Sequence, residues 1–211
     1  MEIVVAGGHG QIAMLLHPLL IEKGHRVRAL IRNPEQVAAV RAVGAEPVMC
    51  DLEADGDVAG AVGSANAVVF AAGAGPGSGL ARKTTMDRDG ATKMIEAAQR
   101  NDISRYVMIS AYHAEEPSGG EIFQAYLRAK SEADAALRAS GLDYTIVRPG
   151  KLNDEPARGL VRVAPRLPDV EISRADVAAV VAYVLQTPAT IGQQFELGNG
   201  EQKIADAIAS L

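Results

Sequence analysis

The chain has one cysteine, no tryptophan and few aromatics: five Tyr and three Phe, 4% of 211 residues. A lone thiol, Cys50, cannot close an internal disulfide, and its place after Val48 and Met49 suits a buried, inert thiol. Few flat rings leave few platforms for stacking single-stranded bases. Positive charge is not in excess either. Against 26 Asp and Glu there are 21 Lys and Arg, a formal net charge of −5. Nucleic acid and anionic membrane surfaces are therefore not expected partners. No apolar run is long enough to span a bilayer, and the first residues lack the charged-then-apolar order of a signal peptide. The expectation is a cytoplasmic protein with a small-molecule substrate and no metal, a monomer or weak homodimer.

What is present is globular: 48% hydrophobic and 22% charged residues in a length that fits one domain, 1–211. The organising stretch is the opening. Residues 3–6 are an apolar run, Gly7-Gly8-His9-Gly10 follows, and residues 11–22 have helical apolar spacing. Strand, glycine turn and helix together are the context in which a dinucleotide fingerprint has meaning. Gly7 allows the sharp turn, Gly10 lets backbone approach a pyrophosphate, and Ala13 lets helix and strand pack closely. The N–H groups of the first helical turn, at Gln11 and Ile12, then face the phosphates, aided by the helix dipole. His9 can donate to a phosphate or merely fill the turn.

Further strands are expected at 26–31, 46–50, 67–72, 105–110 and 144–148, and helices at 34–43, 57–62, 86–100 and 121–140. Residues 73–79 read as a flexible glycine-rich loop. Alternating strands and helices imply a doubly wound, mainly parallel α/β sheet with helices on both faces. The last quarter is less regular, and residues 151–173 suggest a small substrate-side region. A short strand at 161–163, a helix at 177–186 behind Ser173, a final strand at 194–197 and a closing helix at 203–211 complete the pattern.

In such a sheet the ligand lies beyond the carboxyl ends of the strands. Strand two ends at Arg32-Asn33 with no acidic residue beside it. A cation there suits a 2′-phosphate, so NADP is expected over NAD. Strand three ends at Asp51-Leu52, where the carboxylate can accept from the adenine amino group or cap the next turn. Ala71, Ala72 and Gly73 are small enough to let a second ribose pass. Pro149 and Gly150 end strand six, where backbone groups can meet a nicotinamide amide. Strand five ends at Ser110, and the following helix carries Tyr126 and Lys130, four apart and so on one face. Such a trio can move a proton. Lys130 lowers the phenol's pKa from about 10 and holds the ribose, Tyr126 donates, and Ser110 holds the substrate oxygen. Tyr126 can instead be a packed core residue, since Ile122, Ala129, Ala133 and Leu137 mark that helix's apolar stripe.

These segments, with Tyr144 through Gly150 and Ser173 through Ala178, resemble the short-chain dehydrogenase/reductase superfamily. The likeness is to its small atypical NAD(P)-binding members, related to sugar epimerase/dehydratase-like and NmrA-like proteins. The resemblance implies a Rossmann fold, a nicotinamide cofactor and a Ser–Tyr–Lys site. It leaves three functions open: a hydride-transferring oxidoreductase or epimerase, a non-catalytic NADP sensor, and an open-pocket flavin or tetrapyrrole reductase. Two departures stand out. Ala13 replaces a frequent glycine, and Asp87 stands where many active members carry Asn, which donates where an ionised Asp cannot.

Overall fold

The computed structural model describes residues 1–54, 56–75 and 77–211; residue 76 of the expected glycine-rich loop lies outside them. Strands β1 (Glu2–Ala6), β2 (Arg26–Ile31), β3 (Glu46–Met49), β4 (Ala67–Phe70), β5 (Arg105–Ile109) and β6 (Asp143–Pro149) are parallel. β10 (Gln193–Asn199) extends them parallel to β6. Antiparallel β8 (Leu160–Ala164) and β11 (Gln202–Lys203) finish that edge. The order across the nine-stranded sheet is β11-β8-β10-β6-β5-β4-β1-β2-β3. This is the doubly wound Rossmann arrangement, and strand order reverses between β1 and β4.

Strand side chains alternate between the two faces, so each face builds its own core. Ile3 and Val5 pack beneath α1 (Gln11–Glu22) and α7 (Arg174–Val184). Val4 and Ala6 face α3 (Val58–Val62), α5 (Ala91–Arg100) and α6 (Glu121–Ala139). With both faces covered, residues 3–6 are wholly buried, which is why β1 reads as an unbroken apolar run rather than an alternating one. α2 (Val37–Ala42) follows a short 3₁₀ turn, Pro34–Gln36, and α8 (Ile204–Ala209) closes the chain.

The structure departs from expectation in four places. The helix before β5 begins at Leu80, not at residue 86: α4 (Leu80–Arg82) runs through a π-helical segment, Lys83–Gly90, into α5. Its inward residues include Lys83 and Asp87, and inward charges disguise a helix read by apolar spacing. Helix α7 starts earlier than expected because Ser173 accepts from the Asp176 N–H and caps it there. Ile122 is 51% exposed; the inward side of α6 carries Leu127, Ala129, Lys130, Ala133, Asp134 and Leu137 instead. Finally, the irregular region holds β7 (Lys151–Asn153) and β9 (Glu171–Ser173), a separate parallel ribbon, and β11 follows the strand expected to be last.

Candidate active site

Where β1 and β4 part, a cleft of about 270 Å³ opens. The glycine turn forms its floor, and each glycine answers a different constraint. Gly7 has φ +73°, and a Cβ there would lie 2.6 Å from the Ala72 Cα. Gly8 was not singled out from sequence, yet a Cβ there would lie 2.6 Å from the Ala29 Cβ of β2. Gly10 is crowded only by carbonyl oxygens, Gly7's at 3.1 Å being the nearer, so its smallness leaves room on the cleft side. Buried His17 of α1 sits 2.7 Å from the Gly8 carbonyl oxygen through Nε2 and fixes the turn from behind. Burial lowers its pKa and the bond to Gly8 opposes that. α1 opens at Gly10 with no side chain capping its first N–H groups. Those donors, which include Gln11 and Ile12, suit an anion at the cleft floor. The Gln11 side chain is exposed, and Ile12 packs on the core instead of lining the cleft. His9 is exposed at the cleft edge.

The far side comes from the ends of β2 and β3. Arg32, Asp51 and Leu52 line it, as do Gln36 and Cys50, which were not assigned there. Cys50 is half-buried, and burial followed by Asp51 and Asp57 raises its thiol pKa, so it is a reluctant thiolate in the cleft wall. Arg32 is not without an acidic partner: its Nη1 lies 3.0 Å from Glu53 Oε2. Glu53 follows β3 in sequence, and only the sheet brings it beside the end of β2. Asn33 caps the next turn by accepting from the Glu35 N–H at 2.9 Å, and it does not line the cleft. Asp51 accepts from the Glu53 N–H at 2.9 Å, so it caps its turn while also lining the cleft.

On the near side, Ala71, Ala72 and Gly73 line the cleft after β4. The Lys130 Nζ donates to the Ala72 and Ile109 carbonyls, each at 3.4 Å, and pairs with Asp87 at 3.4 Å. Lys130 is 3% exposed; it supports the cleft wall without lining it. Burial opposes its charge, but Tyr126, Asp87 and Asp134 outweigh burial and raise its pKa. The Tyr126 ring lies 5.9 Å from Lys130 Nζ and 5.2 Å from Lys83 Nζ. Lys83, missed in the sequence, donates to the Gly75 carbonyl at 3.0 Å. The expected lowering of the Tyr126 pKa is reversed. Burial raises it, Lys130 pulls it down, and Asp87 and Asp134 push it up. The side chain therefore rests as a phenol, the form that donates.

Three assigned groups are occupied elsewhere. The Ser110 hydroxyl is buried and donates to Asp134 Oδ2 at 2.8 Å. Arg148 lies on the same carboxylate oxygen through Nε and Nη2, both at 2.8 Å. Burial raises the Asp134 pKa against the pull of Arg148 and Ser110. The Pro149 carbonyl accepts from the Tyr112 N–H, and the Gly150 N–H donates to the Leu197 carbonyl. The Gly150 N–H is therefore not open to a nicotinamide amide, whereas the Pro149 carbonyl keeps a second lone pair. A Cβ on Gly150 would meet the Val170 oxygen at 2.3 Å, so packing alone accounts for that glycine. Loop residues beyond the ends of β5 and β8 are held by buried Glu196, which accepts from the His113 and Leu167 N–H groups at 2.7 Å.

This geometry suits a nucleotide, and a sequence profile described as NAD(P)H-binding matches residues 7–188. The chain belongs to the NAD(P)H-binding family. Within it, the chain is 39% identical over the whole length of both proteins to the uncharacterized sugar epimerase YhfK of Bacillus subtilis. A solved Bacillus halodurans structure, named for the NAD-dependent epimerase/dehydratases, superposes with a TM-score of 0.95 at 40% identity, covering 100% of both chains. The Lactococcus lactis oxidoreductase ylbE follows with a TM-score of 0.89 at 26% identity, over 100% of this chain and 96% of that one. This NAD(P)H-binding chain is thus similar along its full length to epimerase/dehydratase-like Rossmann proteins. Among its described residues, no helix is long and apolar enough to cross a membrane.

Proposed function

We propose that this chain is an NADP(H)-dependent oxidoreductase or epimerase/dehydratase-like enzyme acting on a small carbonyl or hydroxyl substrate. One observation carries the reading: the Tyr126 phenol stands near two ammonium groups, and one of them, Lys130, is bonded to the Ala72 carbonyl in the cleft wall. The cleft suits the cofactor because Gly10 leaves space at the floor and the first turn of α1 has no side-chain cap. The N–H groups of that turn would hold the pyrophosphate, Arg32 the 2′-phosphate, and the small residues after β4 would admit the second ribose. When bound, the nicotinamide supplies or accepts hydride. Tyr126 gives its phenolic proton to the substrate oxygen, and Lys130 and Lys83 stabilise the phenolate left behind. Asp87 and the Ala72 carbonyl hold the Lys130 ammonium in place.

A second reading, an NADP-binding sensor without turnover, is favoured by the Ser110 hydroxyl, which is committed to Asp134 rather than to a substrate. Fluorescence titration with NADPH, a screen of carbonyl compounds and nucleotide sugars, and Tyr126→Phe separate the two. The enzyme reading expects turnover to fall roughly a hundredfold in the variant with NADPH affinity unchanged. Undiminished turnover removes Tyr126 from catalysis. Tight NADPH binding with no turnover across the screen supports the sensor.

A further inference from the structure

Glu53 is an unusual rim residue. Its Oε2 lies 3.0 Å from Arg32 Nη1, 3.0 Å from Arg82 Nη2 and 3.0 Å from Arg82 Nε. Its Oε1 accepts from Thr85 Oγ1 at 2.8 Å. Arg32 comes from the end of β2 and Arg82 from α4, and both line the cleft beside Asp51 and Leu52. One carboxylate oxygen therefore bridges two guanidinium groups, which holds them within reach of a single tetrahedral anion. Among the described residues, the cluster sets two cations on one bridging carboxylate. Asp51, also in the cleft lining, accepts from the Glu53 N–H.

We infer that Arg82 is the second cation of the 2′-phosphate site, and that Glu53 is the internal anion that holds Arg32 and Arg82 at the rim and tempers selectivity for NADP over NAD. The inference rests on the nucleotide reading above. A 2′-phosphate brings close to two negative charges and can engage both arginines through separate oxygens, as guanidinium forks favour. A ribose 2′-hydroxyl brings no charge and gains little from either. Glu53 keeps the two side chains from dispersing into solvent, at the cost of repelling the phosphate it prepares them for. Arg82 also donates to the Ala74 carbonyl at 3.2 Å, so engaging the phosphate would tie the loop after β4 to the nucleotide. If the cluster were only a rim ion pair pinning the start of α4, removing its charges would alter stability and leave cofactor preference alone.

The test is the ratio of NADPH to NADH dissociation constants, read by fluorescence titration of the full chain. Affinity for NADH serves as the control for a folded cleft. The wild type should prefer NADPH. Arg82→Met should weaken NADPH roughly tenfold with NADH within about twofold. Glu53→Gln keeps acceptor geometry and removes the charge, and should tighten NADPH by roughly three- to tenfold. Two results overturn the inference while leaving the nucleotide reading intact: an Arg82→Met protein whose preference matches wild type while Arg32→Met loses it, or a Glu53→Gln protein that loses NADH, which would mark Glu53 as the acceptor of a ribose 2′-hydroxyl. A wild-type chain that binds neither dinucleotide refutes the nucleotide reading itself.

Discussion

Lys130→Met should expose how the site is built into the fold. Methionine keeps the length of the side chain and removes the ammonium. Asp87 is 0% exposed, and among the described residues its hydrogen bonds and ion pairs beyond Lys130 at 3.4 Å amount to the Ala74 N–H, also at 3.4 Å. Removing the cation strands a buried carboxylate, a change that costs about 3–5 kcal/mol. For a chain of this size each kcal/mol moves the melting temperature by about 2–4 °C, so a fall of roughly 10 °C is expected. The loss comes from the stranded charge, not from a large intrinsic gain by the pair, because desolvation offsets much of the attraction between buried ions. A second substitution separates these effects. Asp87→Asn in the Lys130→Met background removes the stranded charge while its amide oxygen can still accept from Ala74. The double variant should recover most of the lost stability, to within about 2 kcal/mol of wild type. Urea unfolding followed by circular dichroism, without dinucleotide, measures all three proteins. A single variant that loses less than about 1 kcal/mol, or a double variant no more stable than the single, would refute the account. The same measurement guards against reading a cofactor-affinity loss in a Lys130 variant as a lost contact when it is partial unfolding.

Three further outcomes follow from the same contacts. Ser110→Ala removes one donor from buried Asp134 and should cost about 1–3 kcal/mol while lowering turnover far less than Tyr126→Phe; a stable variant with abolished turnover would return Ser110 to the substrate. Gly8→Ala should destabilise the chain, because its Cβ would meet β2 at 2.6 Å, whereas Gly10→Ala should fold and bind NADPH more weakly; denaturant curves and titrations of the pair check the contrast. Burial depresses the His17 pKa, so the unfolded chain takes up that proton more readily. The stability it contributes is complete above the unfolded value of about 6.5 and is lost as pH falls below it. His17→Gln keeps a donor for the Gly8 carbonyl without titrating, so its melting temperature should fall less than wild type's between neutral pH and about pH 5; parallel slopes would show that His17 does not titrate there.

The legible parts of the chain are those whose physics is local. A run of buried apolar residues, a glycine turn and a helix at Gln11 announce themselves within two dozen residues, and β2 carries the expected bounds of 26–31. Alternation of strand and helix then restricts the sheet to parallel crossovers, and the cleft to the strand ends around Gly7 and Ala72. The π-helical segment escaped because it turns Lys83 and Asp87 inward, and apolar periodicity registers inward charges as outward ones. The short strands β7, β9 and β11 escaped because each depends on a partner strand elsewhere and carries little pattern of its own.

The sequence by itself determined the class of the fold, the glycine turn and the class of ligand, since these rest on backbone sterics and on the period of burial. Tertiary structure alone decided which charge meets which. Arg32 found Glu53 and a second arginine, Ser110 turned to Asp134, and Lys130 was buried against Asp87. Each partner is distant in the chain and is selected by the sheet order and helix packing. A buried charge must find a counter-charge or a hydrogen bond wherever the fold provides one, and no local pattern of residues records where that is.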